Sequence, residues 1–504
     1  MNRVTLNYNT ENNQYLYDDM TGNIYPWNDL REQILKRYNL KTIEEIKREL
    51  MQKYSKEDID LETAYIEDLI IQHAAFFRAE MPDNNRQSPG LHQIKEMVSH
   101  INNTFVISLT DDCNMRCKYC IYSDAYFYTK NKKKKFIDTK TIMEGVNQYL
   151  DLVQGQLNKS PVAKCYISFY GGEPLLNISK LTEIIDYINL KFPNKFEYNI
   201  TTNGLLLNEC NIHKLFKRNV NIYISFDGPD EEHDRLRVNI NGKGTHKTIL
   251  NNIYLLKKLY PELYKEKVSL VSVYDFGTDL IKVEKYFEAM EEEDILPKVK
   301  LVNKVVDNGT EYYNQFSTTQ IERFYNMYKV LENKYFDAIK NNKKVNSYLA
   351  ALIATPYMML LFRKREFDLA PDGIPLGGTC YPGQKLFLDT DGKYYICERT
   401  NGTINIGNIK TGIDIGKIQN SIKAYQTNIL LYCNKCPITK ICTNCFRSFE
   451  ENGVYKYNSE LCKNNIESVK QMLEKYSAVA EENPNVKFLS GINSENDMYE
   501  FVNL

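Results

Sequence analysis

The chain has 504 residues, 43% of them hydrophobic and 26% charged, with a formal net charge of −1. This is ordinary globular composition, and its near-neutral balance excludes a global basic field for nucleic acid. No run of about 18 apolar residues marks a membrane span. The N-terminus lacks an apolar signal-peptide core, so the cytoplasm is expected. In that reducing compartment the twelve cysteines are read as metal ligands or reactive thiols before disulfides. The length predicts about two to four domains.

Residues 1–98 read as a separate small unit. Short strands are expected at 3–7, 14–17 and 23–25, broken by Asn-rich and Thr-Gly turns. Helical periodicity follows at 28–37, 41–54 and 56–79. Thr42 followed by Glu45 predicts a capping box. Residues 82–90 read as a linker.

From 99 to 315 the pattern changes to alternating strands and helices. Strands are predicted at 104–109, 164–170, 197–201, 221–226, 268–274 and 299–302. They are rich in Val, Ile, Tyr and Phe, as buried parallel strands require. Helices separate most of them. The spacing predicts α/β architecture, a partial (β/α)6 barrel with active residues at the C-terminal ends of its strands. The basic stretch at 130–135 reads as a solvated loop. Residues 316–373 form a helical bridge, helical mainly at 318–362. Residues 374–465 are irregular and Cys-rich, with a hairpin at 384–397. Residues 466–504 hold the end of a helix predicted at 464–482 and a polar tail.

Cys113, Cys117 and Cys120 form CxxxCxxC directly after the first strand of the barrel. Three thiolates on one tight loop suit three corners of a 4Fe–4S cube and leave the fourth iron open to a small molecule. A zinc site or idle thiols are the alternatives; structural zinc normally takes four ligands, commonly in CxxC pairs. Motif, position and barrel together resemble the radical S-adenosylmethionine (SAM) superfamily, and Tyr119 before the last Cys fits its pattern.

The resemblance implies that SAM chelates the open iron and is cleaved reductively to a 5′-deoxyadenosyl radical, which abstracts a substrate hydrogen. It also implies further contacts. Gly171 and Gly172 let backbone approach a ligand closely, and Glu173 accepts from the methionine ammonium. Asn203 ends the third strand. Ser225 and Asp227 are expected at ribose or carboxylate. Arg237 is expected to pair with the SAM carboxylate, with plain surface charge as its alternative. Val271 and Val273 flank adenine or are plain core.

A second group follows: Cys380, Cys397, Cys433, Cys436, Cys442, Cys445 and Cys462. It resembles the SPASM domain, the auxiliary-cluster extension of peptide-modifying radical SAM enzymes. Here the core ends in CxxC where that family has CxxxC. The resemblance implies one cluster on Cys433, Cys436, Cys442 and Cys462 and another on Cys380, Cys397 and Cys445, hence three 4Fe–4S clusters in all. Asp372-Gly373-Ile374-Pro375 supplies no further Cys, so the second auxiliary cluster is expected to keep an open iron for a substrate thiolate. A zinc ribbon is the alternative. Cys165 reads as core. Glu398 stands where sulfatase-activating relatives carry an Asp base; it is a base or a structural acceptor.

The N-terminal unit, three strands then three helices, resembles the winged-helix-like RiPP recognition element, which takes a leader peptide by β-augmentation. A helical support for the barrel is the alternative. The segment Cys120-Ile121-Tyr122-Ser123 and the run from Cys397-Glu398-Arg399 through Ile406-Gly407-Asn408 resemble thioether-forming maturases. The expected activity is therefore sulfur-to-carbon crosslinking of a Cys-containing precursor peptide, with flavodoxin or ferredoxin as reductant. No nucleic acid or membrane partner is expected. Formylglycine formation on a sulfatase, carbon–carbon crosslinking and epimerisation are competing chemistries. An iron–sulfur scaffold is the non-enzymatic reading.

Overall fold

The computed structural model describes residues 1–79, 90–101, 104–120, 135–159, 165–305, 311–363, 382–383, 385–399 and 403–488. Residues 82–89 of the expected linker, 130–134 of the basic stretch, Ile121-Tyr122-Ser123, Asp372-Gly373-Ile374-Pro375 and Cys380 lie outside them. The chain forms two compact units. One comprises residues 1–90, 356–381 and 422–486; the other comprises 91–355, 382–421 and 487–504.

The first unit begins with strands β1 (Thr5–Asn9), β2 (Gln14–Asp18) and β3 (Asn23–Trp27), an antiparallel sheet in that order. Helices α1 (Asp29–Arg37), α2 (Ile43–Leu50) and α3 (Lys56–His73) follow. Each start is fixed by a side chain that satisfies an orphan N–H. Asn28 accepts from Arg31 N–H at 2.8 Å, Ser55 from Asp58 N–H at 3.0 Å, and Thr42 with Glu45 forms the predicted capping box. The apolar faces of sheet and helices meet in one core that includes Leu16, Trp27, Ile34, Ile46, Ile59 and Phe76. The helix Ser459–Glu482 of the same unit packs on β1, where Tyr8 Oη lies 2.9 Å from Ser477 Oγ. Near its C-terminus Glu481 accepts from Thr10 Oγ1 at 2.8 Å and Tyr15 Oη at 2.8 Å.

The second unit is built on one ten-stranded sheet. Strands β4 (Thr104–Ser108), β5 (Cys165–Tyr170), β6 (Phe196–Thr202), β7 (Val220–Ser225), β8 (Val268–Tyr274) and β9 (Val299–Lys304) lie side by side in chain order, all parallel. Every residue of β4 is buried, as parallel strands covered on both faces require. The sheet is open; among the described residues β9 pairs with β8 alone. The expected hairpin is present as β10 (Lys385–Leu388) and β11 (Lys393–Tyr395). Its first strand also adds parallel to β4, with Lys385 opposite Thr104. Strands β12 (Asn405–Asn408) and β13 (Gly412–Ile413) complete the antiparallel end. The loop after β4, which carries the first three cysteines, therefore rises from the interior of the sheet.

Candidate active site

The loop after β4 is held on two sides by backbone. Arg116 N–H donates to Val238 C=O at 2.7 Å and Lys118 N–H to Leu236 C=O at 2.9 Å. On the other side Gly172 N–H donates to Thr110 C=O at 2.7 Å and Glu173 N–H to Asp112 C=O at 2.9 Å. A Cβ on Gly172 would stand 2.0 Å from the Asp112 carbonyl oxygen. One on Gly171, at φ +131°, would stand 2.3 Å from that of Thr110. Both glycines are thus demanded by the approach of β5 to the cysteine loop itself. Sequence reasoning assigned that closeness to a ligand.

Cys113, Cys117 and Cys120 are all partly buried on this loop. Cys120 N–H donates to Cys117 C=O at 3.2 Å. The Cys113 sulfur accepts from Met115 N–H at 3.4 Å and lies 3.7 Å from Asn203 Nδ2. Asn203, at the end of β6, also donates to Asn114 Oδ1 at 2.7 Å. Among the described residues no three His, Cys, Asp or Glu side chains converge as ligands of one ion. Corner ligands of a cubane each take a different iron and share no such point.

Glu173 is fully buried. Its carboxylate accepts from Leu175 N–H at 3.0 Å, Thr202 Oγ1 at 2.7 Å and Asn203 N–H at 2.8 Å. Three of about four lone-pair directions are thereby used. Burial nevertheless outweighs these donors and pushes its pKa up to about 7. A cation placed beside it would restore the ionised form.

Asp227 and Arg237 form a buried ion pair, Nε to Oδ2 at 2.6 Å. Asp227 Oδ1 also accepts from Val273 N–H at 2.9 Å. The Arg237 guanidinium carbon stands 5.3 Å from the centre of the Tyr119 ring, a cation–π arrangement. The Tyr119 hydroxyl is buried with no hydrogen-bond partner among the described residues, and burial raises its pKa well above the usual phenol value. Such an orphan polar atom beside the cysteine loop is what a missing polar group would leave. Ser225 ends β7, half-buried. His233, given no role by sequence, is fully buried behind this pair. Its Nδ1 accepts Asp227 N–H at 3.2 Å and Nε2 lies 3.1 Å from Thr245 Oγ1. Thr245 in turn donates to Arg237 C=O at 3.0 Å. Burial lowers the His233 pKa, so the ring is neutral with its proton on Nε2.

In the same unit Glu398 follows Cys397 after β11. Its Oε1 accepts from Lys385 Nζ at 3.2 Å, and Oε2 lies 3.5 Å from the Cys397 sulfur. Burial pushes this carboxyl up, but Lys385 and Arg399 outweigh it and hold the pKa below the usual range. Glu398 is therefore ionised at neutral pH. Burial, reinforced by Glu398, raises the Cys397 thiol pKa. Cys165 lies in β5, fully buried as core, its thiol pKa raised by burial to about 11.

In the first unit, Cys433, Cys436, Cys442 and Cys462 come together. Cys433 interacts electrostatically with Cys442 and Cys462, and Cys436 with Cys433 and Cys442. Asn465 Nδ2 donates to the Cys442 sulfur at 3.2 Å. Cys445 caps a short 3-10 turn through Arg447 N–H at 3.3 Å. Burial pushes the Cys433 thiol up to about 12 and the Cys442 thiol up to about 11. Partly buried thiols so resistant to ionisation become thiolates when a metal displaces the proton. The donor set therefore fits metal better than free reactive thiols.

Residues 107–290 match the family model of the Radical SAM superfamily, and with the parallel sheet and its cysteine loop they make this chain a radical SAM enzyme. A radical SAM domain implies a 4Fe–4S cluster and SAM. A cysteine-type anaerobic sulfatase-maturating enzyme of Clostridium novyi is 26% identical over 378 residues, 73% of this chain and 92% of that one. The radical SAM cyclopropyl synthase TigE of Paramaledivibacter caminithermalis is 26% identical over 342 residues, 67% of this chain and 65% of that one. Among solved structures, native anSMEcpe with bound AdoMet and Cp18Cys peptide superposes with a TM-score of 0.54 at 21% identity, covering 76% of this chain and 99% of that one. That likeness establishes the shared fold.

Proposed function

We propose that this radical SAM enzyme modifies a ribosomally made, Cys-containing precursor peptide, joining a Cys sulfur to a peptide carbon. The observation that carries this reading is the N-terminal unit. Three strands and three capped helices with a core of their own form a module that hydrogen abstraction alone does not require. The edge strand β3 supports leader binding by strand addition. Relatives named for sulfatase maturation and a neighbour solved with a peptide support a peptide as substrate class.

On this reading Cys113, Cys117 and Cys120 hold the SAM-binding cluster. Cys433, Cys436, Cys442 and Cys462 hold an auxiliary cluster, and Cys397 with Cys445 and Cys380 a further one. The bound groups supply a 5′-deoxyadenosyl radical able to take a hydrogen atom from an unactivated C–H bond. Glu173 receives the methionine ammonium, Arg237 and Ser225 the carboxylate side, and Asn203, Asp227 and Tyr119 frame the remainder. Glu398 takes the thiol proton at Oε2. Lys385 keeps that carboxylate charged, and burial excludes water from it. A flavodoxin or ferredoxin supplies the electron for SAM cleavage. The abstracted hydrogen leaves with 5′-deoxyadenosine, the substrate thiol proton goes to Glu398, and the one electron left as sulfur and carbon join would pass to an auxiliary cluster.

The test is anaerobic incubation with SAM, reductant and a Cys-containing candidate precursor peptide, followed by mass spectrometry. Loss of two hydrogens per crosslink, with 5′-deoxyadenosine formed in step, is expected. Conversion of Cys to an aldehyde with loss of sulfur would instead establish sulfatase-type chemistry, the second reading, favoured by the Clostridium novyi relative. Unchanged peptide mass with no 5′-deoxyadenosine would leave only an iron–sulfur scaffold. Replacing Cys113, Cys117 and Cys120 with Ala should abolish SAM cleavage.

A further inference from the structure

Two adjacent buried carboxylates end β2. Asp18 and Asp19 are both fully buried. Asp18 works locally: it accepts from Phe76 N–H at 3.0 Å, Met20 N–H at 3.1 Å and Thr21 Oγ1 at 2.7 Å. Asp19 reaches instead into the second cysteine group. Its Oδ2 accepts from Arg78 Nη2 at 2.6 Å and from Thr439 Oγ1, and its Oδ1 from Lys440 N–H at 2.9 Å. Arg78 follows α3 and is buried like its partner. Its Nη1 donates to the carbonyls of Cys433 at 3.1 Å and Asn434 at 3.4 Å, and Nη2 also reaches Thr439 Oγ1 at 3.2 Å.

These contacts all fall on the segment joining Cys433 to Cys442. Cys433 and Cys436 stand at its start and are linked by a 3.0 Å backbone bond. Two features separate this arrangement from plain packing. The Arg78 Nε–H is buried with no partner among the described residues, an orphan donor in a side chain that otherwise spends its N–H groups on Asp19 and this loop. The pair is also charged, and a buried ion pair is a poor way to gain stability alone.

We infer that Asp19 and Arg78 are positioning residues for the auxiliary cluster. They set the conformation of its binding loop and impose two opposed charges on its reduction potential. The inference rests on the reading of Cys433, Cys436, Cys442 and Cys462 as cluster ligands. Hydrogen bonds and charge around a cluster tune its potential without touching its iron. Arg78 favours the reduced, more negative state, and Asp19 opposes it.

The experiment uses the full chain with Cys113, Cys117, Cys120 and Cys397 replaced by Ala, so that the four-cysteine site alone gives the signal. Iron content, EPR line shape and midpoint potential are measured after anaerobic reconstitution, beside melting temperature. Arg78→Met should lower the potential by at least a tenfold change in the one-electron equilibrium, about 59 mV. Arg78→Lys, which keeps the charge but not the fork, should recover part of that shift. Asp19→Asn should move the potential the opposite way. Loss of stability with unchanged potential in all three variants overturns the inference, as do shifts of one sign in Arg78→Met and Asp19→Asn. If Arg78→Met does not fold, Arg78→Lys and Asp19→Asn decide the matter by the same signs. A parent that takes up no iron overturns the ligand reading and the inference together. A loaded parent with insensitive variants overturns the inference alone.

Discussion

Arg237 is bound to Asp227 at 2.6 Å inside the second unit, and the segment that carries Arg237 is itself laced to the cysteine loop through Leu236 and Val238. The sequence expectation sent Arg237 to a SAM carboxylate and Asp227 to ribose or carboxylate. The structure pairs them with each other, which fixes the guanidinium for a second, anionic partner. Arg237→Ala should cost about 3–5 kcal/mol of stability, because it strands the buried Asp227 charge. Arg237→Lys should fold better yet weaken SAM binding about tenfold, near 1.4 kcal/mol. Thermal melting and equilibrium SAM binding check the two effects.

Glu173 gives a pH signature. Its folded-state pKa, near 7, lies above the ordinary carboxyl value of 4.5. The folded state therefore binds the extra proton between these values. Its stabilising contribution is present below about pH 4.5 and is lost as pH rises through 7, roughly 3 kcal/mol across the window. Glu173→Gln should flatten the stability profile there. Denaturant melts of both proteins at pH 5 and pH 8 measure the difference; equal slopes would sink the assignment.

Gly172→Ala tests the close approach of β5. The added methyl must displace the Asp112 carbonyl, so a loss of about 1–3 kcal/mol is expected. Iron uptake at the first cysteine loop should fall with it. An Ala protein with full iron content would show that the loop tolerates a shift.

Glu398→Gln separates proton transfer from radical formation. The substitution keeps the hydrogen-bonding shape beside Lys385 and removes the carboxylate proposed as base. Crosslinked product should fall by about 10²–10⁴-fold, while 5′-deoxyadenosine continues to form. Parallel loss of both products would place Glu398 in SAM binding or folding instead.

Much of this was legible beforehand. The six parallel strands lie within a residue or two of the predicted runs, because apolar β-branched stretches between helices have few other fates. The Thr42–Glu45 box formed because both halves sit within one turn. What the sequence hid was long-range pairing. Nothing in the residues of β10 names β4 as a partner, since periodicity reports a strand's faces and not its neighbours. His233, Lys385, Asp19 and Arg78 escaped for the same reason. The helix expected from 464 starts at Ser459 and takes Cys462 into its first turn, because Asn458 supplies a cap at Leu461 N–H.

The insertion of β10 beside β4 has a consequence for biosynthesis. Until the ribosome has delivered residues 385–388, β4 is an unfinished rim with bare amide groups, inviting association with other nascent chains. Iron loading at the loop above it is thereby expected to wait until residues 385–388 have been made. A product truncated after residue 355 should accumulate as aggregate, and its recovery as a soluble, iron-loaded monomer would refute this order of events.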